Sequence, residues 1–235
     1  MPIKSHLPNL LTCANMVCGS LALVMVMSLE PSKLIWASYL VGLAAVFDFL
    51  DGMAARLLKS YTDFGKQLDS LADMLSFGVV PGVIMYSLIL NEANMGEEWL
   101  AYCGLLIPIF SALRLAKYNI SDNQSDSFIG LPTPANALLI ASLPLVLEHG
   151  NLAMLYVVES PHYLAAMSAL LSLLLVSKIG MFSLKVKTLK LSENKLQVFF
   201  LLLSLIIIVV FQFTAVPIII ILYIAISTIK SLFFK

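Results

Sequence analysis

The chain predicts an all-α polytopic membrane protein, and three observations carry that expectation. Of its 235 residues, 60% are hydrophobic and only 12% are charged, whereas a soluble domain rarely exceeds about half apolar residues. Eight stretches approach the ~20 apolar residues that a spanning helix needs; they lie at 9–28, 35–58, 73–91, 98–117, 133–148, 162–178, 196–211 and 214–233. The third observation is that the charges sort by side. If eight spans alternate, thirteen of the 14 basic residues fall on one side, with only Lys33 opposite, where Glu30, Glu92, Glu97, Glu98, Glu148 and Glu159 also fall. By the positive-inside rule both termini and the loops of that side face the cytoplasm. Net charge is zero, so no basic surface for nucleic acid is expected.

The first span follows Lys4 and reads LPNLLTCANMVCGSLAL over 7–23. Its apolar run is long, holds Thr12 and Asn15, and lacks a small-x-small exit, which predicts a retained span and not a cleaved leader. Cys13, Cys18 and Cys103 lie within spans without zinc-ligand spacing and are expected to be buried thiols. His6, His149 and His162 sit near span ends, as interfacial polar residues do. The second and third spans are joined by the most charged part of the chain, with Arg56, Lys59 and Lys66. The segment SFGVVPG (76–82) predicts a kinked helix, and the fourth span ends with Arg114 and Lys117. A polar stretch, 119–128, leads into FIGLPTPANA (128–137), a shaped loop at a helix start. After the sixth span, Lys178 to Lys195 fill a second cytoplasmic loop. The last two spans carry no charge across their joint, where Gln212, Thr214 and Pro217 predict a tight turn. No repeat of fixed period appears, which argues against an inverted-repeat transporter.

Chemistry is concentrated in FDFLDGMAARLLKSYTDFGKQLDSLAD, Phe47 to Asp73. On a helix, Asp48, Asp51, Gly52, Ala55, Arg56 and Lys59 follow steps of three and four and share a face. On a second helix Gly65, Asp69 and Asp73 share a face by steps of four. The two faces can meet across a cleft at the cytoplasmic boundary. Four converging carboxylates repel one another unless a cation joins them. Arg56, Lys59 and Lys66 could pair some of them, but divalent ions would serve better, and all-oxygen ligands suit hard ions such as Mg²⁺, Mn²⁺ or Ca²⁺ rather than zinc. Two such ions are a known arrangement for displacement at phosphorus. Gly52, Ala55 and Gly65 would let a bulky polar group approach the backbone.

The order Asp-x2-Asp-Gly-x2-Ala-Arg-x8-Gly-x3-Asp-x3-Asp, carried without a gap by Asp48, Asp51, Gly52, Ala55, Arg56, Gly65, Asp69 and Asp73, resembles the signature of the CDP-alcohol phosphotransferases. LPNLLTCANMVCGSLAL, LADMLSFGVVPG, LRLAKYN (113–119) and FIGLPTPA (128–135) are similar to marks of that family's membrane-embedded phosphatidylserine synthases. Lys117 and Tyr118 stand where arginine and phenylalanine are common, and Gly82 where alanine is common. The resemblance implies a six-helix core, placed at 1–180, with a cytoplasmic loop and two further helices at 181–235. It implies transfer of the phosphatidyl group from CDP-diacylglycerol to L-serine with release of CMP, two Mg²⁺ or Mn²⁺ ions, and a homodimer in the cytoplasmic (inner) membrane. It further implies that Asp48, Asp51 and Asp69 hold one metal, that Asp73 joins the second and is the general base, and that Gly52 and Arg56 contact the CDP moiety. Thr62, Asn9 and Thr12 are further expected CDP contacts, and Arg114 or Lys117 is expected to pair with the serine carboxylate. Two alternatives stay open: the same metal site with another acceptor, such as glycerol 3-phosphate or an inositol phosphate, and a divalent-cation transporter. The second would place carboxylates deep in several spans, and here they keep to two helices.

Overall fold

The computed structural model describes residues 6–28, 30–120, 128–150, 152–181 and 195–233. Lys4, Lys185, Lys187, Lys190 and Lys235, most of the 119–128 stretch and most of the second cytoplasmic loop lie outside the described residues. The chain folds as an all-α polytopic membrane protein. Helix α1 (His6–Met27) and helix α2 (Pro31–Leu58) form a hairpin. Pro31 suits the first turn of α2, where its missing N–H is not needed. The two helices bury Thr12, Asn15, Cys18, Gly19 and Ala22 against Ala37, Ser38, Val41 and Ala44. Small side chains at steps of three and four let helices approach closely in a bilayer. The outer face of α1 exposes Leu10, Val17, Leu21 and Val24, as a lipid-facing surface does. Cys13 also lies on that exposed face; only Cys18 is buried and Cys103 is half-buried, which corrects the expectation of three buried thiols.

Helix α2 stops at Lys59, whose left-handed φ of 50° turns the chain. The N–H groups of Lys59 and Ser60 close back on Arg56 and Ala55. Helix α3 (Asp63–Asp73) begins where Thr62 accepts the Gly65 N–H at 3.0 Å, a side-chain N-cap. It does not end before the third span. It continues through a π-helical turn (Met74–Val79) into α4 (Val80–Glu92), so 63–92 is one helix of 30 residues. The widened turn stands just before Pro81, whose ring and missing N–H disrupt ordinary α-helix. This helix is the hub of the molecule. Buried residues make up 61% of its most apolar stretch, against 28–33% in the other three long helices.

A 3₁₀ helix (Glu98–Leu105) leads into α5 (Leu106–Ile120). A Cβ at Gly104 would lie 2.6 Å from the Tyr86 nitrogen and 2.9 Å from the Gly82 carbonyl, so this segment crosses α4 backbone against backbone. The fifth predicted span is broken into α6 (Thr133–Ala141) and α7 (Leu143–His149) at Ser142, one residue before Leu143–Pro144. Pro144 cannot donate to the preceding turn. A short α8 (Leu152–Val158) follows, then α9 (Pro161–Val176). Strand β1 (Phe128–Ile129) pairs antiparallel with β2 (Gly180–Met181), the only strands among the described residues. Gly130, at φ 77°, and Leu131 then bond to Ile179 and Leu174. These bonds tie the entrance of α6 to the end of α9. Helices α10 (Lys195–Phe211) and α11 (Ala215–Phe233) meet at a 3₁₀ turn over Gln212–Thr214, where the sequence predicts one. Helix α11 packs on α6 and β2, and Ser231 accepts the Gly180 N–H at 3.1 Å. Among the described residues four helices reach spanning length, His6–Met27, Pro31–Leu58, Asp63–Glu92 and Glu98–Ile120, while the last three predicted spans are present as shorter apolar helices.

Candidate active site

The site forms where the C-terminal half of α2 faces the N-terminal half of α1 and the length of α3. Steps of three and four on α2 and of four on α3 aim the carboxylates at one another, as their spacing predicts. One oxygen from each of Asp48, Asp51 and Asp69 lies within 4.8 Å of the other two, and this trio could hold a metal ion. Asp73, one turn beyond Asp69, lies beside Asp48, and its Oδ1 is buried without a partner among the described residues. Among the described residues no ion pair joins any of the four to Arg56, Lys59 or Lys66, whose side chains are exposed. The charge must therefore be met by something else. Hard all-oxygen donors, converging from two helices with one buried oxygen left over, fit Mg²⁺ or Mn²⁺.

The expected nucleotide contacts surround this trio. A Cβ built at Gly52 meets nothing within 4 Å, so the glycine faces open space beside Asp51. Arg56 donates from Nε to the Gly52 carbonyl at 3.0 Å, which leaves its two terminal nitrogens outward. Asn9 comes to the entrance of α3, its Oδ1 3.2 Å from where a Gly65 Cβ would stand. Thr62 spends its acceptor on the cap of α3, and its hydroxyl hydrogen is not taken up by that bond. Thr12 does something the sequence did not indicate. It is buried and donates from Oγ1 to Asp51 Oδ2 at 2.7 Å, so α1 orients a carboxylate of the trio.

The two cations expected to meet serine are separated. Arg114 is half-buried and faces inward, donating from Nη1 to Thr133 Oγ1 at 3.3 Å, with Asp73 and Tyr223 within electrostatic reach. Its Nε is buried without a partner. Lys117, one turn on, is exposed. Lys66 donates to the Asn119 carbonyl at 3.3 Å and Asn119 to Ser70 Oγ at 2.8 Å, which fixes the end of α5 beside α3. Thr133, the partner of Arg114, and the buried Asn136 belong to the GLPTPANA loop and helix start. Proline and glycine mark this segment in the sequence, and no local pattern distinguishes its polar residues.

Residues 5–176 match the family model described as CDP-alcohol phosphatidyltransferase. Curated relatives share one description, CDP-diacylglycerol–serine O-phosphatidyltransferase. The chain is 40% identical over 135 residues to one from Helicobacter pylori, covering 57% of this chain and 54% of that protein. It is 35% identical over 168 residues to one from Bacillus subtilis, covering 68% of this chain and 92% of that protein. To one from Methanocaldococcus jannaschii it is 36% identical over 129 residues, 55% of each. The match thus spans about half the length of the Helicobacter relative and nearly all of the Bacillus one.

Proposed function

Given that the chain belongs to the CDP-alcohol phosphatidyltransferase family, we propose that it transfers the phosphatidyl group of CDP-diacylglycerol to the hydroxyl of L-serine, releasing CMP. The observation that carries this reading is the convergence of Asp48, Asp51 and Asp69 within 4.8 Å, with Asp73 beside them. Asp48, Asp51 and Asp69 would hold one divalent ion, and Asp73 would share in a second. Bound there, Mg²⁺ or Mn²⁺ would neutralise the pyrophosphate and stabilise the charge that develops on CMP.

The remaining work falls to the chain's own groups. Gly52 leaves room for the nucleotide against the helix, and Arg56 offers its free terminal nitrogens to the CDP moiety; Asn9 and Thr62 border the same opening. Asp73 takes the proton of the serine hydroxyl as it attacks phosphorus, and its unpartnered Oδ1 supports that role. A base within hydrogen-bond reach contributes ~10²–10⁴-fold. Arg114 pairs with the serine carboxylate. Of Arg56, Lys59, Lys66, Arg114 and Lys117 it alone is not exposed, which disfavours phosphate-bearing acceptors that need several cations. The core lies at 1–180, with 181–235 as an addition, and the end of the family match at 176 supports that boundary. The protein sits in the cytoplasmic membrane as a homodimer, with its termini and site inward, as its charge distribution favours.

The test is purified protein in detergent with CDP-diacylglycerol, radiolabelled serine and Mn²⁺ or Mg²⁺, beside Asp69→Asn. The expected result is labelled lipid and CMP from the wild type alone, abolished by a chelator. CMP release that ignores serine and follows another alcohol would overturn the acceptor, and no CMP with any alcohol would overturn the activity.

A further inference from the structure

One turn deeper than the aspartates lies a second set of polar groups that the transfer chemistry does not use. Thr12, Asp73, Arg114 and Thr133 mark the level of the site. Three residues further into the bundle on their own helices stand Asn15, Ser76, Ser111 and Asn136, about 4.5 Å deeper at the rise of an α-helix. For α5 the direction is reversed: its C-terminal end meets α3 through Asn119, so Ser111, which precedes Arg114, is the deeper residue. All four are buried at 0% exposure. Helices α1, α5 and α6 all pack on the π-helical turn that follows Asp73. Ser76 in that turn donates to the Asn15 carbonyl at 3.2 Å, and Ser111 Cβ lies 3.2 Å from where a Gly78 Cβ would stand.

Among the described residues most of these side chains have nothing to bond to. Both amide atoms of Asn15, both of Asn136 and the Ser111 hydroxyl are buried without a partner, as are Arg114 Nε and Asp73 Oδ1 just above them. Buried polar atoms in folded proteins are almost always paired, and in a membrane interior an unpaired polar group points to function. These are two fully orphaned primary amides, on helices that both pack on this turn, and no described group of the chain matches them. The set offers donors and carbonyl oxygens, and the layer just above it adds the Arg114 cation and the Asp73 carboxylate. Its complement is a small zwitterion with a hydroxyl.

We infer that this layer binds the amino-acid end of the acceptor, with Arg114 on its carboxylate and the Oδ1 atoms of Asn136 and Asn15 on its ammonium, so that its hydroxyl is left at Asp73. The assignment rests on the proposed transfer reaction and adds the groups that would select an amino acid over other alcohols.

The test is steady-state kinetics of CMP release in detergent with Mn²⁺, for wild type, Asn136→Ala and Asn136→Asp. Asn136→Ala should raise the serine KM about 10- to 100-fold, as expected for losing a hydrogen bond to a charged group, with the CDP-diacylglycerol KM unchanged. Asn136→Asp, which keeps an oxygen for the ammonium, should restore most of it. A serine KM within twofold of wild type in Asn136→Ala would overturn the inference while leaving the transferase reading intact; a wild type without serine-dependent CMP release would overturn that reading first. A second measurement needs no variant. Glycerate, which lacks the ammonium, and ethanolamine, which lacks the carboxylate, should compete with serine at least about tenfold more weakly than serine itself binds, since a site built to bond a group rejects analogues without it. Competition by glycerate as strong as serine's would show that nothing reads the ammonium and would overturn the role of both asparagines.

Discussion

Replacing Thr12 with valine removes one oxygen and keeps the shape of the side chain. The hydroxyl donates to Asp51 Oδ2 at 2.7 Å and lies 3.1 Å from the Pro8 carbonyl. With a single hydrogen to give, it favours the shorter, charge-assisted bond. A bond of that kind to a charged group is worth about 1.5–3 kcal/mol. Asp51, at 5% exposure, has little water to replace it. If the bond orients Asp51 for a metal, its loss should weaken the apparent Mn²⁺ affinity about 10- to 100-fold, the range found for groups that orient a ligand from behind. The assay is initial CMP release against free Mn²⁺ at saturating CDP-diacylglycerol and serine. The expected curve for Thr12→Val is displaced to higher metal, with much of the maximal rate recovered. An unmoved metal curve with a raised CDP-diacylglycerol KM would refute this reasoning and return Thr12 to the role of a nucleotide contact.

Asp73→Asn should retain metal at the Asp48, Asp51 and Asp69 trio, read by Mn²⁺ electron paramagnetic resonance, yet lose at least about 10²-fold in turnover. Gly52→Ala should melt like the wild type, because its added Cβ meets nothing within 4 Å, while its CDP-diacylglycerol KM rises. Gly82→Ala places a Cβ 2.5 Å from Pro108 Cδ and 3.1 Å from the Gly104 carbonyl; overpacking of this kind costs about 1–3 kcal/mol and should appear as a lower melting temperature in detergent. Arg114→Ala should lose serine affinity with little change in that for CDP-diacylglycerol, whereas Lys117→Ala, at an exposed position, should change neither.

The aspartate site was legible because helical steps of three and four translate directly into a shared face, and a carboxylate's chemistry needs no context to be noticed. The hydropathy pattern served equally well for the four long helices. It overstated 133–148, where a continuous apolar run conceals the break at Ser142 before Pro144: hydropathy sums side chains, and the break is a backbone matter. The joining of the helix that carries Gly65, Asp69 and Asp73 to the span at 73–91 was hidden for the same reason, since Asp73 reads as an end by polarity and lies mid-helix by hydrogen bonding. Thr12 on Asp51 is a contact across 39 positions, and no local pattern encodes it. Asn15 and Asn136 were visible as letters, but only packing reveals that their amides are shut away from every partner.

The π-helical turn over Met74–Val79 also sets what kind of genetic change this protein can absorb. A π turn holds one residue more than an α turn, so the chain there carries a surplus residue between two halves of one rod. Deleting any single residue of the six would let the helix close up as ordinary α with little change of phase, because about six α steps turn the chain as far as about seven π steps. One more residue in the turn has no such outlet and would rotate everything from Val80 to Glu92 by about 100° about the axis relative to Asp69 and Asp73. Ile84, Met85, Leu88 and Ile89, all at most 1% exposed, would then swing out of the centre of the bundle while the aspartates stayed in place. The turn therefore tolerates the loss of a residue better than the gain of one.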